Sequence, residues 1–204
     1  MTDLKYKHND EAIQAQLVLL PRWKVAAFGI FLLERAAPNF YRFQADTGAF
    51  GGGVIRGALA NAWTFIESGN PKPCELVTEA ACDFIAPDTE AYVSIYTSSA
   101  LDAAGISSNL LSYIDGGPIS LIVKAASLRR DSIDIFLQLI GDTNPASANF
   151  ESTLSDHPKM QEELCFQDND ILFFNSIHHE QITNWNKVVL YSSNANYLHI
   201  GNTN

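Results

Sequence analysis

The sequence predicts an all-α fold, a compact bundle of about seven or eight helices, on the strength of three observations. Prolines and glycines divide the chain into helix-length segments joined by short connections. Within these segments apolar residues recur at helical spacing, and no strand-like alternation is sustained. Hydrophobic residues make up 47% and charged residues 18% of the 204 residues. That apolar content suffices for one core, so we expect a single domain over 1–204 with an ordered part over about 10–192.

The most apolar segment follows a short amphipathic helix over 9–19. It spans 22–36 and is apolar on every side, which is typical of a buried helix, so we place it at the centre of the bundle. Pro38 is expected to open a separate short helix over 39–45, because proline is tolerated in the first turn of a helix. The glycine-rich stretch 47–53 is expected to form a loop.

The second half of the chain also consists of predicted helices separated by loops. Asp88 is the expected N-cap of its longest early helix, and the glycines after Asp115 are expected to end that helix. Residues 141–155 are rich in Asn, Ser, Thr and Pro and predict a loop, and the tail 194–204 is expected to be loosely packed. The remaining predicted helices cover 54–68, 73–85, 88–114, 119–140 and 156–192.

Charge is unevenly distributed along the chain, whose net charge is −10. Residues 1–72 hold 8 basic and 6 acidic residues, whereas 73–204 hold 5 basic and 17 acidic ones. Glu75, Glu79 and Asp83 begin a stretch without any Lys or Arg. Such a surface is expected to repel nucleic acid and anionic membranes, whose binding depends on basic residues. It is either a solvated acidic face or a docking face for a basic protein partner.

The cysteines and the hydropathy pattern favour a cytoplasmic location. Cys74, Cys82 and Cys165 are odd in number and lack Cys-x-x-Cys spacing, so they predict reduced thiols and neither a disulfide framework nor a zinc site. No apolar run approaches the roughly 20 residues of a membrane span. The polar first residues are not typical of a signal peptide.

Several segments resemble those of a known family. The segment 33–43, Leu-Glu-Arg-Ala-Ala-Pro-Asn-Phe-Tyr-Arg-Phe, with Thr47-Gly48 after it, is similar to a signature of the YjaG-like family of bacterial proteins, which has no known function. The segments 20–23, 96–104 and 157–163 are similar to further parts of that family. The resemblance covers about 17–190 and implies an all-helical single domain, and it implies no activity.

Glu34 and Arg35 are the most distinctive candidate site residues, because they interrupt the most apolar helix. Buried charges must be paired or reach water. Glu34 and Arg35 are therefore expected either to reach water at the helix end or to pair with Asn39 or Asp102. The functional alternative is an anion-binding arginine, held by the glutamate in a pocket between helices.

Other motifs predict neither metal binding nor a cofactor. His178-His179-Glu180 places adjacent histidines about 100° apart on a helix, and the chain lacks His-Glu-x-x-His and Glu-x-x-His. The glycines at 48–53 lack the Lys and Ser/Thr of a phosphate-binding loop.

Three functions are compatible with these features. The favoured one is a non-catalytic interaction or regulatory module that docks a basic protein through the acidic region. The alternatives are a small-molecule binder or enzyme with a pocket near Glu34, Arg35 and Asp102, and a homo-oligomeric structural protein. Whether the chain is an enzyme stays open, although the lack of a catalytic constellation favours that it is not.

Overall fold

The computed structural model describes residues 9–68 and 77–177, which contain eight helices and no strand. The predicted all-α class is therefore confirmed. The helices are α1 (Asp10–Leu17), α2 (Arg22–Thr47), α3 (Gly52–Ser68), α4 (Glu79–Ile85), α5 (Thr97–Ile114), α6 (Ser120–Leu139), α7 (Phe150–Asp156) and α8 (Pro158–Ser176).

The central helix is α2, as its apolar sequence predicts. Every residue from 24 to 33 is buried, and α2 packs against α3, α5, α6 and α8. A Cβ atom on Gly29 would lie 2.9 Å from methyl groups of both Leu110 and Ile122. Glycine at this position therefore allows α2 to approach α5 and α6 closely, which offsets the roughly 1 kcal/mol that glycine costs inside a helix.

The prediction of a helix boundary at Pro38 is wrong. Residues 22–47 form one continuous helix of 26 residues with Pro38 inside it. Proline inside a helix costs about 3 kcal/mol because it lacks an amide hydrogen and crowds the preceding turn. Phe40 and Phe43, beyond the proline, are fully buried and extend the apolar face. Their burial outweighs the local cost of proline.

The prediction that Asp88 caps a long helix is also wrong. A side-chain oxygen of Asp88 accepts a hydrogen bond from the amide of Glu90, and its carbonyl accepts one from the amide of Ala91. These bonds form a local turn, an arrangement by which aspartate competes with helix formation. Helix α5 begins only at Thr97. Its end at 114, with Gly116 at a φ of 113°, agrees with the prediction.

Further boundaries differ from the sequence-based prediction, and one is the start of α3, which lies at Gly52 within the predicted loop over 47–53. Helix α4 begins at Glu79, where the hydroxyl of Thr78 accepts a hydrogen bond from the amide of Ala81 and caps the helix. The predicted loop over 141–155 contains most of α7, because Leu154 packs against a small cluster between α6 and α8. The predictions for 69–76, for the helix beyond 177 and for the tail 194–204 lie outside the described residues.

No helix in the described ranges is both long and apolar enough to cross a membrane. Cys82 is buried, and burial raises the pKa of its thiol to about 12, which keeps it protonated and unreactive at neutral pH. Cys165 is half-buried, and neither residue forms a disulfide. Cys74 lies outside the described residues.

Candidate functional site

Three chain segments converge on an aromatic groove with a volume of about 260 Å³. They are the end of α2 with the loop that follows it, the end of α4, and the turn after α4. The lining residues are Phe43, Ala49, Phe50, Phe84, Ile85, Ala86, Pro87, Asp88, Ala91 and Tyr92. Within this described lining, Asp88 is the one charged residue.

The aromatic rings of the groove form two pairs. Phe50 and Phe84 are 65% and 75% exposed, and their ring centroids lie 5.8 Å apart with a 48° angle between the planes. The buried ring of Phe43 meets Tyr92 edge-on, with centroids 5.1 Å apart. Val93, next to the groove, is fully exposed. Clustered exposed apolar side chains mark interaction sites more often than isolated ones do.

The backbone conformation that presents Phe50 depends on glycine. Gly48 ends α2 in the left-handed conformation, with a φ of 72°, and Gly51 has a φ of 130°. A Cβ atom on Gly51 would lie 2.8 Å from atoms of both Ile85 and Phe40. The loop therefore passes tightly over α4, and this contact holds Phe50 beside Phe84. The glycine-rich stretch that the sequence predicts as a loop thus has a definite structural role.

Beside the groove lies the acidic face, which we define as Glu79, Asp83, Asp88 and Glu90. All four side chains are exposed. No Lys or Arg occurs in 77–123, so these carboxylates have no basic neighbour along this described segment. Asp46, at the end of α2, accepts a hydrogen bond from the hydroxyl of Ser94 and ties the turn after α4 to α2. Glu75, a predicted member of this face, lies outside the described residues.

The candidate residues near the middle of α2 have different partners. Glu34 accepts a hydrogen bond of 3.4 Å from the indole of Trp63 on α3. Arg35 pairs with Asp170 and Glu163 of α8, at 2.7 and 3.3 Å, rather than with Asn39 or Asp102. Burial raises the pKa of Glu34, and the hydrogen bond from the indole opposes that shift.

Asp102 and Asn39 are both buried. Asp102 accepts a hydrogen bond of 2.7 Å from the hydroxyl of Ser132, which joins α5 to α6. Burial raises its pKa to about 6, although this hydrogen bond acts in the opposite direction. The amide nitrogen of Asn39 has no hydrogen-bond partner among the described residues. The structure does not bring Glu34, Arg35 and Asp102 together around a shared set of partners.

A buried polar network attaches α8 to α2 and α6. Glu163 lies 3.3 Å from Arg35 and 3.3 Å from the Nε of Arg129. Gln167 accepts a hydrogen bond of 2.6 Å from Arg130 and donates to the carbonyl of Ala126 and to Glu163. Both Arg129 and Glu163 have 0% side-chain exposure. The two Nη atoms of Arg129 have no hydrogen-bond partner within the described residues.

The charges in this network shift one another's pKa values. Burial opposes ionisation of Glu163, but Arg35 and Arg129 outweigh it and lower the pKa of this carboxyl. Burial likewise opposes the charge of Arg35, but the adjacent carboxylates raise its pKa. For Asp170, burial prevails over the attraction of Arg35 and raises the pKa to about 6. Burial lowers the pKa of Arg129.

Sequence reasoning missed Glu163, Asp170, Arg129 and the aromatic groove. The signal for the network is present in α8, where Glu163, Gln167 and Asp170 recur at helical spacing among the buried apolar residues. Polar residues on an apolar stripe indicate a buried network. The groove had no such signal, because its rings come from three separate segments.

The chain is thus an all-helical protein with an exposed aromatic groove beside an acidic face. It belongs to the family described as Protein of unknown function (DUF416), whose model matches residues 12–199. A solved crystal structure of a DUF416 family protein from Shewanella baltica OS155 has a TM-score of 0.75 and 19% identity. The match covers 91% of this chain and 95% of that chain, so the two proteins share a fold. No curated protein matches this sequence.

Proposed function

We propose that this protein is a non-catalytic interaction module that docks a basic protein partner through its acidic face. The observation that supports the proposal is the exposure of Glu79, Asp83, Asp88 and Glu90 in a described segment without any Lys or Arg. Complementary charge speeds encounter with a basic partner and disfavours acidic ones. The same charge disfavours nucleic acid and anionic membranes.

The position of the carboxylates supports docking over a purely solubilising role. Asp83 immediately precedes Phe84, and Asp88 lines the groove itself. At least one carboxylate therefore lies at an exposed apolar surface that water alone would not favour. An interface of this kind, with an aromatic centre and a charged rim, is typical of protein–protein contacts.

Within the family, we place the chain among the YjaG-like proteins, on the basis of the segment 33–43. The proposal also sets the interaction in the cytoplasm. The free thiols of Cys82 and Cys165 support that location, because reduced cysteines are typical of cytosolic proteins.

The test is a tagged pull-down from a lysate of the organism that encodes the chain, at low and at high salt, with mass spectrometry of the bound proteins. We expect one stoichiometric basic protein that is released at high salt, because salt screens exposed charges. The variant Glu79→Lys/Asp83→Lys is expected to lose that protein.

The matched control is Glu151→Lys/Glu162→Lys, which makes the same change of charge at exposed positions of α7 and α8. It is expected to retain the partner. If both double variants lost the partner equally, total charge would matter and the acidic face would not; if both retained it, neither would matter. Either result would refute the proposal.

A further inference from the structure

The aromatic groove has features of a site for a cationic side chain. Its walls include four aromatic residues, and aromatic ring faces attract cations through their negative electrostatic potential. The most exposed rings, Phe50 and Phe84, are tilted by 48° and leave their surfaces accessible to a partner. An apolar side chain would also bury apolar surface in the groove. The charges around the rings therefore decide whether a cationic or an apolar side chain binds there.

Among the described residues that line the groove, Asp88 is the one that carries a charge. One of its oxygens accepts the amide hydrogen of Glu90, which fixes the carboxylate at the groove. The second oxygen and the remaining lone pairs are available for a donor, since an ionised carboxylate accepts about four hydrogen bonds. A carboxylate beside aromatic faces attracts a cation and disfavours a purely apolar occupant, because apolar contact would desolvate the charge without compensation.

The cations of this chain that lie over aromatic rings in the described structure use other rings. Arg22 lies over Tyr113, Arg35 over Phe166 and Arg56 over Tyr41. The chain therefore forms this type of contact repeatedly, whereas the groove presents Phe50, Phe84 and the carboxylate of Asp88 to the outside. The complementary cation is then expected to come from a partner.

The volume of the groove indicates how much of the partner enters. About 260 Å³ is smaller than the roughly 300–1,000 Å³ of pockets that enclose small-molecule ligands. It suits one long side chain. A planar guanidinium stacks on aromatic faces and pairs with a carboxylate through two hydrogen bonds, which an ammonium group does not do.

We propose that the groove receives an arginine side chain from a basic segment of the partner, stacked against Phe50 and Phe84 and paired with Asp88. This inference rests on the proposed docking function and names the residue that the partner inserts. The acidic face attracts the flanking basic residues, and the groove selects the position of the arginine.

The probe is an array of short acetylated peptides with lysines in varied flanking positions and one variable central residue. The central residue is arginine, its neutral isostere citrulline, lysine, leucine or phenylalanine. Peptides that bind the purified protein are then titrated by fluorescence anisotropy. We expect the arginine peptides to bind most tightly, with a loss of about tenfold on replacement by citrulline.

Three variants of the full chain locate the site. Phe84→Ser is expected to weaken the arginine peptides by about tenfold, and Asp88→Asn is expected to reduce the preference for arginine over citrulline. Leu172→Ser is the matched control, since this leucine is 62% exposed on α8 and does not line the groove. Circular dichroism checks that all variants remain helical.

The outcomes separate this inference from the proposed function. Tighter binding of leucine or phenylalanine peptides, or equal binding by Phe84→Ser, would overturn the arginine site. If the arginine site were overturned but Glu79→Lys/Asp83→Lys abolished binding of the basic peptides, docking through the acidic face would remain supported. If neither Phe84→Ser nor Glu79→Lys/Asp83→Lys changed peptide binding, both the arginine site and docking through the acidic face would be refuted. If no peptide bound, the groove would not be an arginine site.

Discussion

Helix α2 is held by opposite chemistry on two of its sides. Towards α5 and α6, Gly29 lies against the methyl groups of Leu110 and Ile122. Towards α8, Arg35 lies in a network of fully buried charges with Glu163 and Asp170. The first contact requires only shapes that fit, whereas the second requires that each charge keeps its partner. The apolar side is therefore tolerant of conservative substitution, and the charged side is not.

The largest effect on the free energy of unfolding is expected from Glu163→Gln, which removes the carboxylate that Arg35 and Arg129 share. Removal of one partner of a buried ion pair leaves an uncompensated charge and costs about 3–5 kcal/mol. The free energy of unfolding, measured by urea denaturation at pH 7, is expected to fall by that amount.

Glu162→Gln is the control, because Glu162 is exposed on the same helix. It is expected to change the free energy of unfolding by less than about 0.5 kcal/mol. A loss below about 1 kcal/mol for Glu163→Gln would mean that the charged side of α2 is as tolerant as the apolar side, and the comparison would fail.

An intermediate effect is expected from Asp102→Asn, which removes an ionisable group from the apolar side. The pKa of Asp102 is about 6 in the folded protein, above the usual value of 3.8 for this side chain, so the folded state binds the proton more tightly than the unfolded chain does. The unfolding free energy of the wild type therefore falls as pH rises through this window. For this carboxyl the decrease amounts to up to about 3 kcal/mol.

Asparagine keeps an oxygen that accepts the hydrogen bond of Ser132 and has no proton to lose. The stability of Asp102→Asn relative to the wild type is thus expected to increase from pH 4 to pH 7, as urea denaturation at a series of pH values would show. Asp83→Asn, at an exposed position of α4, controls for the change of net charge. A constant difference between Asp102→Asn and wild type across that range contradicts the prediction.

The smallest effect is expected from Arg129→Met, although this arginine is as deeply buried as Glu163. Its two Nη atoms have no hydrogen-bond partner in the described part of the chain, and Glu163 keeps Arg35 when Arg129 is removed. Replacement of buried charges by apolar side chains is often neutral, so we expect a change of at most about 1 kcal/mol. Thermal and urea unfolding measure it.

Arg35→Met is the matched comparison, because it removes the partner of both Glu163 and Asp170. It is expected to cost about 3–5 kcal/mol. If Arg129→Met were the more damaging of the two, Arg129 would be the organising charge of the network, and the roles inferred for the two arginines would have to be exchanged.

Local sequence signals predicted the fold where local physics decides it. The apolar segment at 22–36 predicts the buried part of α2, and the glycines after Asp115 predict the end of α5. The errors occur where tertiary contacts decide. Pro38 remains inside α2 because Phe40 and Phe43 are buried beyond it, and α7 forms where composition predicts a loop.

The sequence pointed to only some residues of the candidate site, for a related reason. The acidic residues Glu79 and Asp83 are visible in the sequence as a charge pattern, and they are exposed in the structure. Arg35 was a candidate, but its partners lie 128 and 135 residues away in the sequence. No local spacing links such residues. The groove likewise combines Phe50 and Phe84 from different helices and loops, which only the tertiary structure brings together.

The separation in sequence between Arg35 and its partners also determines when the ion pairs can form during synthesis of the chain. A ribosome adds about 5–20 residues per second, so Asp170 is synthesised on the order of ten seconds after Arg35. Towards the end of that interval the nascent chain contains α2, α5 and α6, while the arginine side of α2 has no carboxylates from α8 to pack against. Helix α8, the last helix in the described part of the chain, therefore supplies charge to helices made earlier, and a nascent chain that stops before α8 leaves Arg35 and Arg129 without Glu163.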